Sequence, residues 1–156
     1  MIDKNDIKLI SILHKDGREN YANIARILGI TESTARKRFK RLIDDNFIRI
    51  VASINWNKLG LNNICIVGLQ INMRHFRVVS DKLANIPSVC FVGLVAGRYD
   101  LIVIILARSN EQVANIIEKQ IAPIPYVIKT ETFIALNIIK GGWPLLDMSG
   151  VIDELE

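Results

Sequence analysis

Apolar positions in the first 45 residues fall at helical spacing in three short runs. Ile7, Ile10 and Leu13 recur every third residue behind Asp3 and Asp6, either of which can cap a first helix, and the run stops at Lys15-Asp16-Gly17. Tyr21, Ile24, Ala25 and Leu28 continue the period through a second helix that ends at Gly29, a residue free to take positive φ. Thr31 offers a hydroxyl N-cap to a third helix with Ala35, Phe39 and Leu42 as its apolar stripe. After Asp44-Asp45-Asn46, the stretch Phe47–Ile54 is rich in β-formers and carries Arg49, so it is expected to be a wing or a linker strand.

The rest of the chain alternates between strand and helix patterns. Ile64–Met73 reads as a strand and Phe76–Asn85 as a helix. Val89–Ala96 and Leu101–Ala107 read as strands split by Gly97-Arg98-Tyr99-Asp100, followed by a helix over Asn110–Ile121 and a strand over Val127–Ile139. The order β-α-β-β-α-β is the ferredoxin-like plan, which places the chain in the α+β class. The expected domains are a helix-turn-helix at 1–54, a linker at 55–62 around Trp56-Asn57-Lys58-Leu59-Gly60, a ferredoxin-like domain at 63–140 and a tail at 141–156. Two helices cover one face of such a sheet. Strands this rich in Val, Ile and Leu leave an apolar patch on the other face, and a second copy of the chain is expected to cover it. Trp143, Leu145 and Leu146 in the tail are candidates for packing on a partner.

Charge sharpens the division. Residues 1–58 hold 12 Lys and Arg against 7 Asp and Glu, a net +5, while residues 59–156 hold 8 against 9, a net −1. A polyanion-binding module joined to a neutral one is implied. Other classes recede. The longest apolar run, Leu101–Ala107, is far short of the roughly 18–20 residues that span a bilayer, and the start Met1–Asp6 is acidic and polar where a signal peptide is basic and then apolar, so a cytoplasmic protein is expected. Cys65 and Cys90 sit in apolar runs with no His or Cys at ligand spacing, which reads as buried reduced thiols without a metal. His14 and His75 are isolated and no nucleophile-base set is in view, so neither an enzyme nor a cofactor is expected.

Tyr21–Lys40 meets several requirements of a helix-turn-helix at once: small Ala25 at the helix crossing, Gly29 at the turn, Ile30 and Ala35 at core positions, then a basic amphipathic helix. At about 100° per residue, Ser33, Lys37 and Lys40 lie opposite the buried stripe, while Thr34, Arg36 and Arg41 flank it. Arg38 falls at the core edge, where it would snorkel or pair with a carboxylate. Early positions of a recognition helix reach base edges and later cations meet phosphates. Ser33, Thr34, Arg36 and Lys37 are therefore candidate readers of double-stranded DNA, with Lys40 and Arg41 as phosphate anchors. Tyr21 is either a phosphate donor or a partly buried core residue.

The chain resembles the Lrp/AsnC (feast/famine) regulators along nearly its whole length. The resemblance is carried by Asp6-Ile7-Lys8-Leu9-Ile10, Asp16-Gly17-Arg18, Tyr21-Ala22-Asn23-Ile24-Ala25, Gly29-Ile30-Thr31-Glu32-Ser33-Thr34 and the later Gly-x-Tyr-Asp. It implies a winged helix-turn-helix joined to a βαββαβ effector domain, dimers formed through the sheets, and frequent assembly into tetramers or octamers. It also implies an amino-acid effector between dimers, near a Gly-Asp-Tyr-Asp turn. The matching positions are Gly97, Arg98, Tyr99 and Asp100, with Thr132 on the last strand. Gly97 would present backbone N–H groups to a ligand carboxylate and Asp100 would receive its ammonium. Arg98 departs from the expected Asp. It would either favour an acidic ligand or simply face solvent in a hairpin. The function expected is a sequence-specific transcription regulator under metabolite control; the alternative is an architectural protein that wraps DNA with little ligand control.

Overall fold

The computed structural model describes residues 1–139, so the tail at 141–156 and its Trp143, Leu145 and Leu146 lie outside the described residues. The chain divides into two compact units, Met1–Ser53 and the remainder from Ile54.

The first unit is three helices, α1 (Lys4–Lys15), α2 (Tyr21–Leu28) and α3 (Glu32–Asp44). Each begins on a side-chain cap. Asp3 accepts from the Asp6 amide at 2.9 Å while Asp6 accepts from the Asp3 amide at 3.0 Å, a reciprocal capping box. Asn20 accepts from the Asn23 amide at 2.8 Å, and Thr31 from the Thr34 amide at 3.3 Å. Gly29 closes α2 with φ of 66°, the left-handed conformation that lets the chain turn into α3. The core joins Leu9, Leu13, Ile24, Ala25, Leu28, Ala35 and Leu42, with Phe39, Tyr21 and Ile48 packed at its edge.

The buried face of α1 differs from the expected one. Leu9 is fully buried whereas Ile7 is 60% exposed, because the face runs Asp6, Leu9, Leu13 and contains a carboxylate. The β-rich stretch Phe47–Ile54 also departs from expectation, since no strand forms there. A strand needs a ladder partner, and none pairs with it among the described residues. Phe47, Ile50 and Val51 are exposed as a result.

The second unit begins with a 3₁₀ turn, Trp56–Leu59, ended by Gly60 at φ of 79°. Its strands are β1 (Asn63–Ile71), β2 (Val89–Leu94), β3 (Leu101–Ala107) and β4 (Val127–Ile134), and its helices are α4 (Phe76–Ala84) and α5 (Asn110–Ile116). The sheet is antiparallel throughout, in the order β2-β3-β1-β4. The expected β-α-β-β-α-β order holds, with shorter elements. β4 stops at Ile134, opposite Cys65 near the start of β1, rather than at Ile139. The last helix is α-helical only to Ile116 and finishes as a π turn over Ile117–Ile121.

The two faces of this sheet have different fates. Cys65, Val67, Leu69, Leu101, Val103 and Ile105 point to the helix side, where they pack against Val79 and Leu83 of α4 and Val113 and Ile116 of α5. On the other face lie Ile66, Gly68 and Gln70 of β1, opposite Ile104 and Ile102 of β3 and Phe133, Glu131 and Lys129 of β4. This face is less bare than the sequence suggests: Trp56 packs on Ile64, Cys90 and Leu106 at one end. Tyr99 lies over Gly68, where an added Cβ would fall 2.7 Å from the ring.

Candidate nucleic-acid interface

α3 exposes one side of its cylinder and anchors the other. Ala35 and Leu42 are fully buried and Phe39 is partly so, which turns Ser33, Lys37 and Lys40 outward. These three carry one hydroxyl and two cations on successive turns of one helix face, suited to a groove and its phosphates. Thr34 is partly buried, and its hydroxyl is 2.8 Å from that of Thr31; the Ser33 hydroxyl is 3.1 Å from the same oxygen.

Arg36 is exposed and lies against its own unit. Its guanidinium sits 3.5 Å from Glu32 and 4.8 Å above the Tyr21 ring. Tyr21 meets Phe39 edge-on at 5.5 Å, so of the two roles left open for it the structure shows core packing of the ring.

The remaining arginines turn toward α1. Arg38 donates from Nη1 to Asp3 at 2.6 Å and to Asp6 at 2.8 Å, with 23% of its side chain exposed, as its core-edge position implied. Arg41 departs from the phosphate-anchor expectation, because its Nη2 donates to the other oxygen of Asp6. Asp6 is entirely buried. Burial pushes its carboxyl pKa up, but the Asp3 amide and the two guanidiniums outweigh this and hold it below the ordinary value. Arg38 is shifted up in turn, mainly by its hydrogen bonds to Asp3 and Asp6. Neither Asp3 nor Asp6 was singled out as a partner in the sequence. The available signal is a pair of carboxylates at i and i+3 on α1 and, on α3, Arg38 with no acid three or four residues away on its own helix.

The expected effector turn forms a second cluster. Gly97 adopts φ of 149° with nothing near its Cβ direction. Arg98 is mostly exposed, 3.9 Å from Glu131 and 5.4 Å above the Tyr99 ring, and its carbonyl accepts from Gln70 Nε2 at 2.9 Å. Tyr99 donates its hydroxyl to Glu131, and this bond raises its pKa, with burial adding and Arg98 opposing. Asp100 is already engaged: its carboxylate accepts from the Ile71 amide at 2.8 Å. Thr132 is not brought to this cluster. It stands opposite Val67, whose side chain is in the helix-side core, whereas Tyr99 and Glu131 share the opposite face. Glu131, one residue earlier, is the strand residue that meets the turn.

A helix-turn-helix unit with an outward basic row, here followed by a ferredoxin-like sheet carrying a polar turn, is the build of a DNA-binding module. The comparisons agree. Residues 2–49 match the winged helix-turn-helix DNA-binding family and residues 64–144 the Lrp/AsnC ligand binding domain. HTH-type transcriptional regulator LrpA of Pyrococcus abyssi is 33% identical over 141 residues, covering 90% of this chain and all of that protein. An uncharacterized HTH-type transcriptional regulator of Pyrococcus furiosus is 31% identical over 144 residues, 92% of this chain and 97% of its own length. Among solved structures, AsnC of E. coli superposes with a TM-score of 0.86 at 21% identity, over 90% of this chain and 96% of that one. A Neisseria meningitidis transcriptional regulator in complex with L-Met does so with 0.85 at 17% identity, over 97% and 99%. The chain belongs to the Lrp/AsnC family and is a DNA-binding transcriptional regulator. Among the described residues no helix is long and apolar enough to cross a membrane.

Proposed function

We propose that the protein binds a pseudopalindromic operator as a homodimer or larger assembly, and that a small amino acid or related metabolite at the Gly97–Asp100 turn modulates this binding. The observation that carries the DNA part is the outward row Ser33, Lys37 and Lys40 on a helix whose opposite side is fixed by Asp6. These three, with Thr34 and Arg36, are the base-reading and phosphate-contacting set; Tyr21 is secondary, and Arg41 is left out of the set because Asp6 holds it. Self-association rests on the sheet face bearing Ile66, Ile102, Ile104 and Phe133, which no helix of the chain covers among the described residues.

For the effector, support comes from the family's ligand-binding domain and from the L-Met complex of the Neisseria regulator. Arg98 shares Glu131 with Tyr99, so an acidic effector would draw its guanidinium away from that carboxylate. Asp100 keeps the turn closed through Ile71, and its role toward an ammonium falls to the oxygen not used by that amide.

A thermal-shift screen over the amino acids tests the sensor. At least one amino acid should raise the melting temperature, and Arg98→Ala should reduce that rise. No shift with any of them removes the amino-acid reading. Selection from random-sequence duplexes tests the operator, where a narrow consensus with two half-sites is expected. The architectural alternative has one observation in its favour: Lys4, Lys8 and Lys15 are exposed along one side of α1, a second basic row. It predicts a specificity ratio near one in the same selection.

A further inference from the structure

Five basic residues crowd α3 between Arg36 and Arg41, yet two of them are tied to α1: Arg38, turned inward with 23% of its side chain exposed, and Arg41, 44% exposed but held at its tip. Arg38 is clamped between Asp3 and Asp6, and Arg41 is held by the second oxygen of Asp6. Asp3 and Asp6 are themselves tied together by the capping box at the start of α1, so the acceptors cannot swing away with the arginines. The cluster is poorly suited to stability alone. Asp6 is wholly buried, and Nε of Arg38 is buried without a hydrogen-bond partner. A buried ion pair of this kind is commonly no better for stability than an apolar replacement, whereas it fixes geometry firmly.

We infer that Asp3 and Asp6 are specificity-determining residues that withhold Arg38 and Arg41 from the DNA phosphates. A cation free to meet any phosphate strengthens binding to every sequence equally, because phosphates carry no sequence information. Two arginines on the recognition helix would do so strongly, each offering several N–H donors on a long side chain. Pairing them within the unit leaves Arg36, Lys37 and Lys40 as the unclamped cations, and with them a larger share of the binding energy for base contacts. The same bonds set the pitch of α3 against α1, so the row Ser33, Lys37, Lys40 is presented at one angle. This rests on the DNA-binding face proposed above.

The experiment measures binding of the full chain to a mixed-sequence duplex as a function of salt. Asp3→Asn is the central variant, because Asn caps a helix as well as Asp does and retains an oxygen for the Asp6 amide, while one of the two charges that hold Arg38, the one at 2.6 Å, is gone. Asp16→Asn removes the same charge at an exposed position of the same unit, keeps an oxygen for the Arg18 amide, belongs to none of the ion pairs described, and sets the baseline for net charge alone. Relative to that baseline, Asp3→Asn should steepen the salt dependence toward the slope of about 0.9 expected per added phosphate contact. Asp3→Asn with Asp6→Asn should steepen it further, and adding Arg38→Gln to Asp3→Asn should remove the gain. A slope for Asp3→Asn equal to that of Asp16→Asn, or a gain that survives Arg38→Gln, overturns the inference. Lys37→Ala on the same duplex separates the two readings: if it leaves affinity unchanged, the DNA-binding face itself is misplaced.

Discussion

Asp6 in the helical unit is a charged side chain removed entirely from water, whereas Phe133 in the sheet unit is an apolar side chain left 44% exposed. Each runs against the usual partition of residues, and the physical reasons differ. A buried carboxylate is tolerable only when donors surround it, so Asp6 is matched by the Asp3 amide and two guanidiniums, and the match orients a helix. An exposed aromatic ring costs little in water and marks a surface that another protein surface can use. The first unit therefore uses its unusual residue for internal geometry, and the second leaves its own on the face proposed above for self-association.

Substitutions can break this contrast, and the largest effect belongs to ordinary core packing. Leu83→Ala on α4 should destabilise the sheet unit by about 2–5 kcal/mol in denaturant unfolding, since Leu83 is fully buried between helix and sheet. Asp6→Ala should cost about 1–3 kcal/mol and act on the helical unit, by leaving Arg38 and Arg41 without their shared acceptor. The same bond gives an acid dependence. The folded pKa of Asp6 lies below its ordinary value, so its contribution is complete above the unfolded pKa of about 4 and fades as pH falls through the folded value. Circular dichroism on acidification should therefore show helix loss in the wild type that Asp6→Ala, already lacking the contribution, does not share to the same extent.

Gly68→Ala should cost about 1–3 kcal/mol, because the new Cβ would meet the Tyr99 ring 2.7 Å away and push it off the sheet, shifting the Tyr99 to Glu131 bond. The smallest folding effect is expected for Phe133→Lys, within about 0.5 kcal/mol of wild type for an exposed site, while sizing by light scattering should show a smaller assembly. Unchanged size would remove the sheet face from the proposed interface.

Much of this was legible from the chain. Caps at Asp3 and Thr31, the left-handed Gly29 and the alternation of strand and helix all express local chemistry, which short-range patterns report well. What stayed hidden depended on contacts distant in sequence. Apolar spacing alone places Ile7 in the core in place of Asp6, whose partners lie 32 and 35 residues away. Phe47–Ile54 has the composition of a strand and lacks the neighbour that would make it one. At the expected effector turn, Gly97–Asp100 is marked by its own residues, whereas nothing local distinguishes Glu131 from the neighbouring Thr132. In a strand the two point to opposite faces, and only the register against Val67 and Gly68 tells which one meets Tyr99.

The central claim, that α3 meets DNA with its lysines and not with the arginine beside them, is tested by two single substitutions of equal charge. Salt-dependent binding to one duplex is compared for wild type, Lys37→Ala and Arg38→Ala. Lys37→Ala should weaken binding about tenfold or more, as for loss of one base contact worth about 1–3 kcal/mol, while Arg38→Ala leaves affinity and salt slope near those of wild type. Equal losses for the two variants, or a larger loss for Arg38→Ala, would contradict the account.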